Sequence, residues 1–271
     1  MNVPEPPESP RLFRPRTVGE ILQHAFQLYV AHWGNLILTV ALIVVPLTIV
    51  QAVLVDLVID PIFRTSTRHG DVVVVSGSLA AGTLAWLAVG VFTVLMWTVL
   101  TGAITRAAAG TFLGRDMDVP ESYRYGLARF WSIVLVCLLA SLAIAGGFIL
   151  LVIPGFFILT KLTVSLPTLV IEDKRGREAL RRSWNLVTGF GWAVFGTIIV
   201  AGLATGLLSS IVTGLFGHNA VARTVGQCIA SIITVPYTAL VGILIYLDLR
   251  VRKERYGPEE LERDLARSSA A

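Results

Sequence analysis

Apolar residues run along this chain in long blocks, and polar residues gather at the block ends. Six blocks read as membrane-crossing helices: residues 36–58, 78–105, 132–153, 156–171, 192–216 and 221–247. Several reach roughly 20 residues, enough to cross a ~30 Å hydrocarbon core at ~1.5 Å per residue. A soluble core hides one such helix but not six. The fourth block is shorter, about 16 residues or ~24 Å as a helix, which is below the usual minimum for a span. It reads either as a thin span or as the returning arm of a re-entrant hairpin. Ile153-Pro154-Gly155 precedes it, with Pro to stop one helix and Gly to supply the turn.

Shorter stretches follow a helical period instead. Pro15-Arg16-Thr17-Val18-Gly19-Glu20 reads as a helix start, with Thr17 capping the backbone and Glu20 reaching back. Val18, Ile21, Leu22, Ala25, Phe26 and Tyr29 then share one face, opposite Glu20, Gln23, His24 and Gln27. Such a helix is too polar to span and lies in the interface, ended by His32-Trp33-Gly34 with Trp33 at headgroup level. The stretch from Arg177 to Val187 repeats the pattern before the fifth block. Leu180, Ser183, Trp184 and Val187 face one way, and Arg177, Arg181, Arg182 and Asn185 the other. Glu20 aligns with Glu178, Leu22 with Leu180 and Phe26 with Trp184. A looser third copy begins at Asp118 and Pro120 and runs through Tyr123, Leu127, Phe130 and Trp131. Either this is an internal repeat of the kind common in transporters, or three hairpins each need an entry device. The expected fold is all-α: a polytopic membrane helical bundle of six transmembrane helices as three hairpins, each preceded by a cytoplasmic interfacial amphipathic helix.

Composition agrees, at 55% hydrophobic and 15% charged residues of 271. The formal charge of +4 suits basic loops that meet anionic headgroups. Nucleic acid is excluded as a partner because the basic residues sit at block ends rather than in one stripe. They crowd residues 11–16, 106–129, 174–182 and 250–267, whereas the opposite side holds only Arg64, Arg68 and Arg223. The positive-inside rule then puts both termini in the cytoplasm of a multi-pass cell (plasma) membrane protein. An even number of crossings follows, which favours counting the fourth block as a span. Residues 1–15 read as a disordered cytoplasmic tail without a signal-peptide pattern, 16–250 as the membrane domain and 251–271 as a charged cytoplasmic tail. Cys137 and Cys228 lie inside apolar blocks and read as small hydrophobes.

Ile153-Pro154-Gly155, Lys161, Pro167, Glu172-Asp173 and Glu178-Ala179-Leu180-Arg181-Arg182-Ser183-Trp184 together resemble a group of bacterial integral membrane proteins. These are described by the membrane domain of glycerophosphoryl diester phosphodiesterases. Arg16-Thr17-Val18-Gly19-Glu20-Ile21-Leu22 looks like the group's opening, and Tyr246-Leu247-Asp248-Leu249-Arg250-Val251-Arg252 like its ending. In the named phosphodiesterases a separate soluble barrel carries catalysis and metal. The sequence leaves no room for that barrel after Leu247, and His69-Gly70 in an external loop does not replace it. The resemblance therefore implies a stand-alone membrane domain without the phosphodiesterase activity.

Lys161 is the sharpest candidate for function, because a charge inside a span costs roughly 2.5–3.5 kcal/mol and usually meets a partner or a wet cavity. It reads as an anion or headgroup contact, or as a lysine snorkelling to the outer interface, with Asp56 as its natural partner. Asp248, at the cytoplasmic end of span six, is expected to pair with Arg106. Glu172 and Asp173 are expected to cap the following helix. His24 and His32 lack a third ligand, so no metal and no cofactor is expected. Arg177, Arg181, Arg182, Arg250, Arg252 and Lys253 are the candidate headgroup contacts. Gly202 and Gly206 form a small-residue spacing suited to close packing, within the bundle, in a homo-oligomer or against a membrane protein partner. The leading expectation is a non-enzymatic membrane domain that binds or organises anionic lipid or a membrane partner. A small-solute or lipid transporter or channel is the alternative. An intramembrane lipid-modifying enzyme ranks third, for want of a visible base, nucleophile or metal set.

Overall fold

The first helix, α1 (Val18–Ala31), begins where its cap is written. The Thr17 hydroxyl accepts the Glu20 N–H at 3.4 Å, and the Glu20 carboxylate accepts the Thr17 N–H at 2.8 Å. Both donors would otherwise be orphaned at the helix start. The Thr17 backbone bond is the chief reason the Glu20 carboxyl lies below its usual range, with Thr17 Oγ1 and Arg14 adding to it. A depressed carboxyl supports the fold above its ordinary pKa and loses that support as the pH falls through the depressed value. Acidification is therefore expected to fray the first turn of α1, read as lost amide protection after correction for intrinsic exchange. Glu20→Gln, which does not titrate, should show no such step.

The structure is a computed structural model that describes residues 14–54, 65–68, 71–74, 87, 89–90, 102, 104–106, 128–216, 220–254 and 256–270. Helix α2 (Trp33–Leu54) follows a break at His32, and segments Val18–Ala31 and Leu36–Gln51 meet at 80°. Ile21 and Ala25 are the buried residues of α1, whereas Phe26, expected on that face, is mostly exposed at the edge of the stripe. The described residues are otherwise largely helical, but the loop expected after span one contains an antiparallel ribbon. Strand β1 (Thr65–Arg68) pairs with β2 (Asp71–Val74), with Thr65 opposite Val74. The second expected span and the third amphipathic stretch fall almost entirely outside the described residues, as does Asp56.

Helices α3 (Phe130–Leu150) and α4 (Val152–Leu162) form a tight hairpin turned by one extended residue, Leu151 (φ −169°, ψ 154°). This corrects the expected turn at Pro154-Gly155. Pro154 stands in the first turn of α4, where its missing N–H has no intrahelical partner to lose. Gly155 serves the close approach of the two helices rather than the turn. A Cβ on Gly155 would lie 2.5 Å from the Phe148 ring, and one on Gly147 would lie 3.0 Å from the Gly155 Cα.

The helical path continues past α4 into α5 (Ser165–Glu172), after a break at Thr163-Val164. Pro167 has no N–H to offer the carbonyl of Thr163, four residues back, which places the break there. Together Val152–Glu172 makes 21 residues, so this apolar stretch is longer than the 156–171 expected. Helix α6 (Arg177–Val187) has the expected bounds. Its buried face is Ala179, Ser183, Leu186 and Val187, which leaves Trp184 at the edge.

Helices α7 (Gly191–Leu215) and α8 (Ala220–Glu254) complete the bundle. α8 is its central post and packs on α1, α2, α5, α6 and α7. Ile243, Leu244, Ile245, Tyr246 and Leu247 are all buried, so this part of α8 has no outward face. By contrast, α7 exposes Leu203, Leu207 and Ile211, and α3 exposes Leu142 and Ile149. Among the described residues four stretches are long and apolar enough to cross a membrane: Phe130–Leu150, Val152–Glu172, Gly191–Leu215 and Val221–Glu254. The bent pair of α1 and α2 makes a fifth if taken as one span. The charged C-terminal segment holds one more helix, α9 (Pro258–Ala270), which folds back on α5 and buries Leu261.

Candidate functional site: a charged seam beside a buried lysine

The seam forms where α5 turns into α6. Asp173 ends α5 in the left-handed region (φ 54°), and Gly176 (φ 53°, ψ −126°) adopts a backbone that side chains other than glycine's disfavour. Gly176 is the residue before α6 and no side chain caps that helix. Glu172 and Asp173 are therefore not its caps, contrary to expectation. Asp173 pairs with Arg129, ahead of α3, and with Arg175.

Glu172 instead points into the bundle end, with its side chain only 8% exposed. It accepts Arg182 Nε at 2.9 Å and the Tyr246 hydroxyl at 2.9 Å, and Arg250 lies at 3.5 Å. Arg250 continues the chain of charges to Glu254 (2.7 Å) and Asp264 (2.9 Å), and its guanidinium sits 3.8 Å over the Tyr256 ring. The Tyr256 hydroxyl donates to Asp264 at 3.0 Å. Burial, against the pull of Arg250, pushes the Tyr256 phenol above its usual range. Burial works against the charge on Arg182, but Glu172 and Glu254 outweigh it and the guanidinium is held above its ordinary value. Helices α5, α6, α8 and α9 are thus tied at one end by a partly buried ionic cluster with Glu172 at its dry centre.

A second tie joins the two ends of the sequence. Asp248 accepts the Arg16 N–H at 2.7 Å with one oxygen and Arg252 Nε at 2.7 Å with the other. Arg252 also donates to the Arg16 carbonyl. Arg106 is not among these partners. Burial, partly opposed by Asp248, lowers the Arg16 guanidinium from its ordinary value.

Lys161 is 6% exposed and donates to Thr188 Oγ1 at 2.9 Å. Its ammonium lies 5.4 Å from the Phe157 ring centre and 5.5 Å from that of Trp184. The side chain therefore turns towards α6, not back towards the α3–α4 turn as snorkelling to the outer interface would need. The Ser183 hydroxyl donates to the Lys161 carbonyl at 2.7 Å and fixes this stretch of α4 against α6. Lys253, whose ammonium donates to the Asn185 carbonyl, is close enough for its charge to repel that of Lys161.

The six basic residues expected at headgroups divide in two. Arg182, Arg250 and Arg252 are committed to internal carboxylates. Arg177 and Arg181 are exposed on α6, and Lys253 is exposed at the end of α8. Periodicity did not reveal Tyr246, Tyr256, Asp264 or Thr188 as members of the site. Only the i,i+4 pairs Arg250–Glu254 and Asp248–Arg252 carried a local signal. His24 and His32 contact helix carbonyls four residues back, and no group of three possible metal ligands occurs among the described residues.

A family model described as a domain of unknown function, DUF7847, matches residues 122–248. The match takes in Lys161, Glu172, Arg182, Tyr246 and Asp248, and stops short of Arg250 and α9. No curated protein and no solved structure matches the chain.

Proposed function

We propose that this chain is a non-enzymatic integral membrane domain that gathers anionic lipid at its cytoplasmic face. The observation that carries the reading is the division of the basic residues. The inner arginines of the seam are neutralised, while Arg177 and Arg181 project from an amphipathic helix with no partner among the described residues. Near an anionic surface each such residue contributes about 1 kcal/mol. The apolar faces of α3 and α7 would meet acyl chains, and the basic ends of α6 and α8 headgroups. The resemblance to the membrane domain of glycerophosphoryl diester phosphodiesterases enters as an expectation about architecture, and no catalytic group is carried over from it. The test is the lipid that co-purifies with the detergent-extracted full chain. Anionic phospholipid should be enriched over the source membrane, and Arg177→Gln with Arg181→Gln should reduce that enrichment by up to about 30-fold, the equivalent of about 1 kcal/mol per residue. Co-purified lipid of bulk composition would overturn the reading.

Transport is the second reading. It is favoured by the break at Thr163-Val164 near the buried Lys161, and by Pro46 and Pro236 inside α2 and α8. Broken helices at membrane depth often line a substrate path. Solute flux into proteoliposomes that Lys161→Leu abolishes would establish transport and displace the first reading.

A further inference from the structure

Lys161 is buried and, unlike Arg182, Arg250 and Arg252 of the seam, has no counter-ion among the described residues. The carboxylates on the neighbouring elements are already engaged. Glu172 holds Arg182, Glu254 holds Arg182 and Arg250, Asp248 holds Arg252, and Glu178 holds Lys174. A buried ammonium with one hydroxyl partner and two ring faces retains donors that a neutral environment does not fill. The charge of Lys253 acts on it and is of the same sign. Among the described residues neither Lys161 nor Lys253 has a carboxylate partner, whereas the carboxylates around them are engaged, and this marks a place suited to a negative group.

The surroundings narrow its class. Phe157 (54% exposed) and Trp184 (39% exposed) stand edge to face at 5.7 Å beside the ammonium and open to the outside of the bundle. An anion reached past two exposed rings has an apolar body or approaches along an apolar surface. We propose that Lys161, with Lys253 beside it and Phe157 and Trp184 at its flank, seats one phosphate oxyanion, supplied by an anionic phospholipid or by free phosphate. This rests on the lipid-binding reading above and adds to it one defined position, distinct from the diffuse basic face of Arg177 and Arg181.

The test is native mass spectrometry of the detergent-solubilised full chain, titrated with phosphatidylglycerol, phosphatidylcholine and inorganic phosphate. One phosphatidylglycerol should bind about 10-fold or more tightly than phosphatidylcholine, as expected for a charge-assisted contact, and Lys161→Gln should remove that preference. Arg177→Gln with Arg181→Gln should leave this single site within about twofold while lowering bulk lipid enrichment. Competition by millimolar phosphate assigns the seat to a free oxyanion, and its failure to compete assigns it to lipid; both support the shared chemistry. A folded Lys161→Gln chain that binds phosphatidylglycerol as the wild type does would overturn the proposal and leave the lipid reading standing. A wild-type chain that co-purifies with lipid of bulk composition would sink that reading instead. If Lys161→Gln does not fold, Lys253→Gln decides: a loss of about threefold or more supports the seat, and unchanged affinity overturns it.

Discussion

Replacing Glu172 with alanine is expected to cost about 3–5 kcal/mol of stability, the largest effect of any single change in the charged seam. The carboxylate is nearly dry and serves three groups at once: Arg182, Tyr246 and Arg250. Its removal leaves two partly buried guanidiniums leaning on Glu254 and Asp264 alone, and leaves the Tyr246 hydroxyl without its acceptor. Thermal unfolding of the purified chain in detergent would read this as a large fall in the midpoint. Glu172→Gln should fall between the wild type and Glu172→Ala, because an amide still accepts from Tyr246 but cannot balance the arginines. Glu172→Leu combined with Arg182→Met should recover much of the loss, since a matched apolar pair avoids the desolvation of both charges. A Glu172→Ala chain within about 1 kcal/mol of the wild type would mean that the seam is wet and worth no more than a surface pair.

Alanine at Gly147 is expected to be the next most damaging change, at about 1–3 kcal/mol, the usual penalty for overfilling a packed contact. Its Cβ would lie 2.9 Å from Ile158 Cδ1 and 3.0 Å from the Gly155 Cα. The isoleucine tip can move, but the backbone of α4 cannot without opening the α3–α4 hairpin. Gly155→Ala meets the Phe148 ring at 2.5 Å and would displace a residue that stacks on Phe156 at 5.2 Å between centroids. Gly146 supplies the control on the same helix. Nothing lies within 4 Å of a Cβ there, so Gly146→Ala should be neutral or stabilising by up to about 1 kcal/mol through helix propensity. Equal midpoints for the alanine variants at Gly146 and Gly147 would remove the close contact from the account.

The two changes act on different kinds of information. The glycine pattern at 146, 147 and 155 is visible in the sequence, and Pro154-Gly155 invited the reading of a turn. That reading failed because the turn needs only one extended residue, Leu151, and the glycine is required by the neighbouring helix instead. The acidic pair Glu172-Asp173 next to α6 likewise invited a helix cap. Gly176 makes the reversal further along, which frees both carboxylates for arginines on other elements. In each case the residue type was correctly noticed, and its role was set by a partner on another element.

Local signals held where the physics is local. The Thr17–Glu20 cap, the bounds of Arg177–Val187 and the position of Gly191–Leu215 follow from hydrogen bonds within one turn and from side-chain period along one helix. Apolar length likewise identifies stretches able to cross a membrane, because the rise per residue is fixed by the backbone. Only the tertiary structure brought Glu172 to Tyr246, Asp248 to Arg16 and Lys161 to Thr188, separated by 74, 232 and 27 residues. Such pairs depend on the direction in which each helix presents its side chains and on which buried charges are already neutralised. Neither is encoded in a single helix, so the charged seam and the uncompensated lysine emerge only when the helices are packed.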